Sequence, residues 1–146
     1  MKNWKELNMY GSSNDRLEAF LGSKENAFAI LQLDDSEESI YDRFESLANL
    51  RKRCGRGPAI DRYRTVYIAP LDPFTDLMQM LEQIYERFNI SHPEDFRGYS
   101  LSVSDIVAVL LDGCVRLYYV DSVGFRRVTG TLSPFPRNTG GNNGYY

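Results

Sequence analysis

A two-residue turn between two apolar segments constrains the fold of this chain more than any other feature of its sequence. Asp112-Gly113 favours the left-handed backbone of a tight hairpin turn, and it joins the apolar segments Ile106–Leu111 and Cys114–Val120. The first segment is apolar at consecutive positions, so both of its faces need to be covered. The sequence therefore predicts an antiparallel hairpin inside a layered fold.

Three more strands are predicted around this hairpin. Ala27–Leu33 is also apolar on both faces, Tyr63–Ala69 is rich in β-branched and aromatic residues, and Phe125–Val128 follows a turn after the hairpin. Because a helix of more than a dozen residues separates the first two, we expect them to be parallel and joined by a right-handed crossover. The sheet is then mixed and ends in an antiparallel meander.

Helical patterns precede and separate these strands. Leu17, Phe20 and Leu21 predict a short N-terminal helix. Ser36–Cys54 predicts a longer helix, which is capped by Ser36, ends before Gly55 and carries an apolar stripe of Ile40, Phe44 and Leu47.

The most regular helical pattern spans Pro73–Asn89, after a capping Asp72. Its predicted core-facing stripe consists of Phe74, Leu77, Met78, Leu81, Ile84, Tyr85 and Phe88. We expect these two main helices and the short N-terminal helix to cover the sheet.

The length of the chain, 146 residues, fits one folded domain. We expect an α+β domain over residues 1–132, followed by a disordered tail over 133–146, where Pro, Gly and Asn dominate. No apolar run reaches the ~20 residues of a membrane span, and no signal-peptide core follows the first residues. We therefore expect a cytoplasmic protein without membrane contact.

Metal, disulfide and acid–base sites find little support in the sequence. Cys54 and Cys114 have no CxxC spacing, and His92 is the single histidine. Because His92 lies between Ser91 and Pro93 after a helix, we interpret it as a turn residue unless the fold brings a nucleophile beside it. No metal, cofactor or catalytic residue is predicted.

Charges are segregated along the middle of the chain. An acidic segment contains Asp34, Asp35, Glu37, Glu38, Asp42 and Glu45, and a basic segment contains Arg51, Lys52, Arg53, Arg56, Arg62 and Arg64. The interpretation we favour is that acids begin a helix and bases end it, as the helix dipole prefers. Nucleic-acid binding through the basic segment is possible but not favoured, because strand alternation places Tyr63 and Tyr67 opposite Arg64.

Hydroxyl and carboxylate groups flank the predicted hairpin. Ser100, Ser102 and Ser104 alternate with apolar residues and end at Asp105, so an extended segment would place the three hydroxyls on one face. That face is either the start of a strand or a groove for a peptide edge or a phosphate. Asp105 and Asp121 are interpreted as turn caps in preference to ligands of a hard cation.

Two runs of residues carry a family resemblance. FNISHPEDFRGYSLSVSDIV at 88–107 and YYVDSVGF at 118–125 resemble the YodL-like domain, with a core over about 63–128 and a weaker match at 27–33. The resemblance implies an accessory module of multidomain proteins carried by conjugative elements and phages of Gram-positive bacteria. Relatives often have Gly-His-Ser where this chain has Gly98-Tyr99-Ser100, so no role of that histidine carries over.

Three functions follow as hypotheses. The first is a non-catalytic protein-interaction module of mobile genetic elements, the second is an inhibitor of a host defence nuclease of the anti-restriction or anti-CRISPR type, and the third, ranked last, is an enzyme using residues 100–105. The partner is expected to be a protein. The candidate binding residues are Arg97, Tyr99, Ser102, Ser104, Asp105, Asp121, Asp34, Asp35, Glu37 and Glu38.

Overall fold

The computed structural model describes residues 3–134 of the chain, so nearly all of the predicted tail lies outside the described residues. The helices are α1 (Trp4–Tyr10), α2 (Ser13–Leu21), α3 (Glu37–Asp42), α4 (Leu47–Cys54) and α5 (Leu77–Ile90), with a 3-10 turn at Ile60–Arg62. The strands are β1 (Ala27–Leu33), β2 (Tyr63–Pro70), β3 (Ile106–Leu111), β4 (Cys114–Val120) and β5 (Phe125–Val128). The predicted α+β class is confirmed.

The five strands form one sheet in the order β2-β1-β3-β4-β5, and each neighbouring pair is antiparallel. The hairpin prediction is confirmed, since Asp112 and Gly113 have φ angles of 49° and 82°, the left-handed values of a tight turn. The predicted parallel pairing of β1 and β2 is wrong. The segment between them returns to the end of the sheet that it left, so that Leu33 pairs with Tyr63 and no crossover forms.

The sheet lies between two layers of helix. One face packs against Leu7 and Phe20, from α1 and α2, and against Leu50 from α4. The other face packs against Leu81 and other residues of α5. Because both faces are covered, all seven residues of β1 are buried, as the sequence predicted.

The helix predicted over Ser36–Cys54 is two helices. Ser36 and Ser46 each cap one of them, α3 and α4, and between them Phe44 has a φ of 65° that no helix accommodates. The predicted stripe is wrong at two of its three positions: Ile40 and Phe44 are exposed, and only Leu47 is buried. Gly55 ends α4 in the left-handed conformation, as predicted.

Helix α5 begins four residues later than predicted, because Asp76 caps it and not Asp72. Its buried residues are Met80, Leu81, Ile84 and Phe88, whereas Met78, which we placed in the stripe, is exposed. Among residues 3–134, no helix is long and apolar enough to cross a membrane.

Side chains of the N-terminal helices cover the free edge of β2. The Asn8 amide pairs with both backbone groups of Ile68 at 2.9 Å, and Ser13 and Arg16 bond the amide and the carbonyl of Thr65. The short N-terminal helix is confirmed as α2, but the sequence did not predict α1. An edge covered in this way is closed to a further strand.

Candidate binding groove

A groove opens where the end of β1 meets the connection between α3 and α4 and the loop before β3. It has a volume of about 470 Å³. Its lining residues are Gln32, Leu33, Arg43, Phe44, Tyr99, Ser100, Ser102, Ser104 and Asp105. We call it the Phe44–Tyr99 groove after the two aromatic residues at its rim.

Phe44 projects from a strained backbone. The residue is 71% exposed, and its φ of 65° lies in the left-handed region that bulky residues rarely adopt. The Phe44 amide donates to Ser104 Oγ at 3.1 Å, and Ser104 itself has a φ of 89° and is buried. A second bond, from the Tyr119 hydroxyl to the Glu45 carbonyl at 2.7 Å, fixes the next residue.

Tyr99 is the other aromatic residue at the rim, with 70% of its surface exposed. The Gln32 side chain forms two hydrogen bonds with the Tyr99 backbone. Gln32 Oε1 accepts from the Tyr99 amide at 3.0 Å, and Gln32 Nε2 donates to the Tyr99 carbonyl at 2.8 Å. The backbone before Tyr99 approaches Gln32 and Phe96 so closely that residue 98 has to be glycine. A Cβ there would lie 2.8 Å from Gln32 Oε1 and 2.9 Å from the Phe96 ring. The backbone that carries Tyr99 is therefore tied directly to β1.

Arg43 lies beside Tyr99, with its guanidinium carbon 5.9 Å from the ring centroid. The same guanidinium donates to Asp35 at 3.0 Å and to the carbonyls of Leu33 and Asp34. These bonds tie the guanidinium to the end of β1, while Arg43 still lines the groove beside Tyr99.

Asp105 forms the floor of the groove and is only 7% exposed. Its Oδ2 accepts from the Ser102 amide at 2.9 Å and from Gln32 Nε2 at 3.1 Å. Burial raises the pKa of Asp105 to about 7, against the opposing effects of the Ser102 and Gln32 hydrogen bonds and of the Arg43 charge. The carboxyl group therefore changes its charge near neutral pH.

The groove contains four of the predicted binding residues, Tyr99, Ser102, Ser104 and Asp105. The predicted extended segment with three hydroxyls on one face is wrong, because Ser104 lies in a turn and is buried while Ser100 is exposed. All three serines nevertheless line the groove.

Two other predicted binding residues lie outside it. Arg97 donates to the carbonyls of Glu94 and Phe96. Asp121 accepts from the amides of Leu47 and Ser122, which agrees with the turn-cap interpretation. Within residues 3–134, no group of three His, Cys, Asp or Glu side chains is arranged to hold a metal ion.

The acidic and basic segments pair with each other. Buried Asp42 bonds Arg53, Arg56 and Arg62 at 2.8 to 3.2 Å, and Asp34 lies 3.4 Å from Arg64. The helix-dipole interpretation is therefore incomplete, since ion pairs use most of these charges. Asp35, Glu37 and Glu38 remain at the surface.

Tyr63 and Tyr67 do not form a common stacking surface beside the basic segment. A bulge shifts the register of β2 against β1 between Ile30 and Leu31. Tyr63 and Tyr67 therefore face opposite sides of the sheet, whereas simple alternation predicted one side.

The fold brings the hydroxyl of Ser100 beside His92, a contact that the sequence alone did not predict. Its Nε2 lies 3.0 Å from Ser100 Oγ, and its ring meets the edge of Phe96. Within the described part of the chain, no carboxylate is hydrogen-bonded to this imidazole. The pair thus lacks the group that orients the base in a hydrolytic triad.

The groove residues that sequence reasoning missed are Gln32, Leu33, Arg43 and Phe44. Gln32 was assigned only to a buried strand and Phe44 to a buried stripe. The available signal was Ser46, a second N-cap that implies a helix break just before it.

A larger cavity, of about 750 Å³, lies between α1, α2 and the start of β1. Its rim includes Trp4, Glu18 and Lys24. It contains neither a buried titratable group nor a strained residue among those that line it, so the Phe44–Tyr99 groove is the better candidate.

Comparison with known families identifies one match. The model of the YodL-like domain matches residues 27–130, which include every strand and all of the groove. No curated protein and no solved structure matches the chain.

Proposed function

The chain belongs to the YodL-like domain family, and we propose that it is a non-catalytic module that binds another protein through the Phe44–Tyr99 groove. The observation that carries this proposal is the exposed ring of Phe44 on a left-handed backbone. Such a conformation costs about 1–3 kcal/mol and persists where the surrounding structure holds it, often at binding sites.

The chemistry of the rim supports a protein partner. Exposed aromatic rings supply much contact area for little loss of side-chain entropy, and they dominate the energetics of many protein interfaces. The backbones of Phe44 and Tyr99 are each fixed by hydrogen bonds to distant residues. A partner therefore does not have to order them, which favours affinity.

Strand addition is a less suitable mode of binding for this sheet. Asn8, Ser13 and Arg16 already occupy the edge of β2. The opposite edge, β5, has only four residues, of which Arg126 and Arg127 are exposed. Short and charged edges disfavour pairing with another chain.

The biological setting remains part of the proposal. An association with mobile genetic elements comes from the family resemblance, and the alternative function, inhibition of a host defence nuclease, differs in the identity of the partner. The acidic segment Asp34–Glu45 motivates this alternative, and three of its six acidic residues, Asp35, Glu37 and Glu38, are exposed.

Affinity capture from a Gram-positive lysate tests the proposal, with the tagged chain and with its Phe44→Asn and Tyr99→Ser variants. Tyr10→Ser is the matched control, because Tyr10 is an exposed aromatic residue outside the groove. We expect the chain and the control to capture a partner that survives nuclease treatment and that both groove variants lose.

Capture that is indifferent to both groove variants would contradict the proposal. Recovery of nucleic acid, or of partners lost on nuclease treatment, would instead favour binding through the basic segment. If the partner is itself a nuclease, an activity assay on it distinguishes inhibition from simple docking.

A further inference from the structure

We propose that the groove accepts a lysine side chain of the partner, with its ammonium group against Asp105 and its aliphatic stem between Phe44 and Tyr99. This inference rests on the proposed function, because it names the chemical group that the groove recognises.

The first support is the open side of the Asp105 carboxyl group. Both of its hydrogen bonds from described residues go to Oδ2, so Oδ1 accepts none from them. The residue is 93% buried and lines the groove. Oδ1 is not among the fully buried polar atoms that lack a hydrogen-bond partner in the described residues, so it stays accessible, and a cation that enters the groove would bond it.

The second support is the match between the walls and a lysine stem. Phe44, Tyr99 and Leu33 supply apolar surface for four methylene groups, and aromatic faces attract an ammonium group. An anionic ligand would instead meet the buried carboxylate, which repels it.

The polar groups of the floor favour lysine over arginine. A guanidinium binds a carboxylate best through two parallel bonds to its two oxygens, but Oδ2 of Asp105 is already occupied. An ammonium group is compact and needs single acceptors. Besides Oδ1, the Ser102 hydroxyl lines the groove and makes no hydrogen bond with the described residues.

Arg43 does not take the place of this lysine. Its guanidinium bonds run to Asp35 and to the carbonyls of Leu33 and Asp34, and none runs to Asp105. The groove therefore contains one carboxyl group whose charge has no directly bonded cation among the described residues.

Ionisation of Asp105 makes binding depend on pH. The groups that act on it are Arg43, from the connection between α3 and α4, and the phenols of Tyr63 on β2 and Tyr119 on β4. Burial raises the pKa of both phenols, so they stay neutral. Of the Asp105 carboxyl and these two phenols, only the carboxyl therefore titrates between pH 5 and 8.

The test uses N-acetyl-lysine N-methylamide as the probe and the norleucine analogue as its neutral isostere. Binding is followed by amide NMR shifts of Gln32, Phe44 and Ser102 in the full chain. We expect the lysine probe to bind at least about tenfold more tightly than norleucine near pH 8, with the preference lost near pH 5.5 and in Asp105→Asn. Asn retains an acceptor for Ser102 and Gln32, and an unchanged thermal melt confirms that the variant folds.

Equal binding of the two probes, or a preference that survives in Asp105→Asn, overturns the inference. The inference is also overturned if about 50 mM lysine probe causes no NMR shifts at these residues, because this concentration is well above the Kd of ordinary ligands.

Partner capture separates this inference from the proposed function. A partner lost in Tyr99→Ser but fully retained in Asp105→Asn overturns the lysine inference alone. A partner retained in both variants overturns the role of the groove itself, whereas a partner lost in both supports the two proposals together.

Discussion

Phe44 and Ser104 both have the positive φ angles that glycine usually adopts. A hydrogen bond from the Phe44 amide to Ser104 Oγ joins them. The core does not require the conformation of Phe44, because that residue is exposed, whereas buried Ser104 is held by backbone bonds to Tyr63 and Val120 and its side chain holds Phe44. At the level of single residues, this chain therefore stores strain at the rim of its groove. The consequence is that stability and binding should separate at Phe44.

Phe44→Asn should leave the free energy of unfolding unchanged or raise it by up to about 1 kcal/mol, because Asn adopts left-handed backbone more readily than Phe. Phe44→Val should lower it by about 1–2 kcal/mol, since β-branched residues fit that conformation worst. Both variants should lose partner binding. Denaturant unfolding measures the difference, and equal stability of the two variants would contradict the claim of strain.

The buried carboxyl group of Asp105 should make stability fall with rising pH. The folded state raises the pKa of Asp105 to about 7, so its contribution is fully favourable below the unfolded pKa of about 4 and is lost as pH rises through about 7. Between pH 4 and pH 8, the wild-type chain should lose up to about 4 kcal/mol relative to Asp105→Asn. Parallel pH profiles of the two proteins would show that this group does not titrate as described.

The elements of this fold differ in how far their own sequence determines them. α5 is a single amphipathic helix that covers one face of the sheet, while α3 and α4 are short helices separated by a break. The break depends on bonds from Ser104, Tyr119 and Asp121 to residues at or beside it. Short helices gain most of their stability from such tertiary contacts.

Leu81→Ala tests the packing of α5. Leu81 is fully buried against the sheet, so its truncation should lower the free energy of unfolding by about 2–5 kcal/mol. Gln83→Ala, on the exposed side of the same helix, is the control and should change it by less than about 0.5 kcal/mol. A thermal melt of Leu81→Ala that matches the wild type would refute this packing.

Local patterns predicted the elements, and distant contacts decided what the patterns missed. The hairpin around Asp112-Gly113 was predictable because turn and strands are adjacent in the sequence. The helix break had a local signal in the second N-cap, Ser46, but the left-handed backbone of Phe44 had none, because its partner Ser104 lies 60 residues away. Without that break, the sequence predicts one long crossover helix before β2. A crossover helix implies parallel strands, so the antiparallel pairing of β1 and β2 was missed.

The candidate site was predictable in part for a related reason. Tyr99, Ser102, Ser104 and Asp105 lie close together in the sequence, and the pattern of that loop identified them. Gln32 enters the groove from another strand through bonds to Tyr99 and Asp105. Nothing in the neighbourhood of Gln32 along the chain signals such a pairing.

Across the whole molecule, the two charged segments fold against each other. Asp42 lies among three arginines from α4, its C-terminal loop and the 3-10 turn, and Asp34 connects the end of β1 to β2 through Arg64. Burial raises the pKa of Asp42, but hydrogen bonds from Arg53, Arg56 and Arg62 outweigh it and leave the pKa below its usual value.

Asp42→Asn should lower the free energy of unfolding by about 1–3 kcal/mol at neutral pH, because hydrogen bonds to charged groups are lost. The lowered pKa means that this contribution is present above the unfolded pKa and is lost as pH falls through the folded pKa. The difference from wild type should therefore shrink in acid. Exposed Asp61→Asn is the control, and an equal effect of both substitutions on urea unfolding would contradict a special role for Asp42.

Because Leu33 pairs with Tyr63, the sheet does not set the length of the segment between them. The segment between them leaves the sheet and returns to an adjacent position, where the Asp34 amide bonds the Arg62 carbonyl at 2.9 Å. It is topologically an excursion from a hairpin, so its length is not set by the geometry of the sheet. The excursion carries Arg43 and Phe44, and it also supplies Leu47 and Leu50 to the core. Replacing only the connection between α3 and α4 would therefore change what the groove recognises while the strands keep their register.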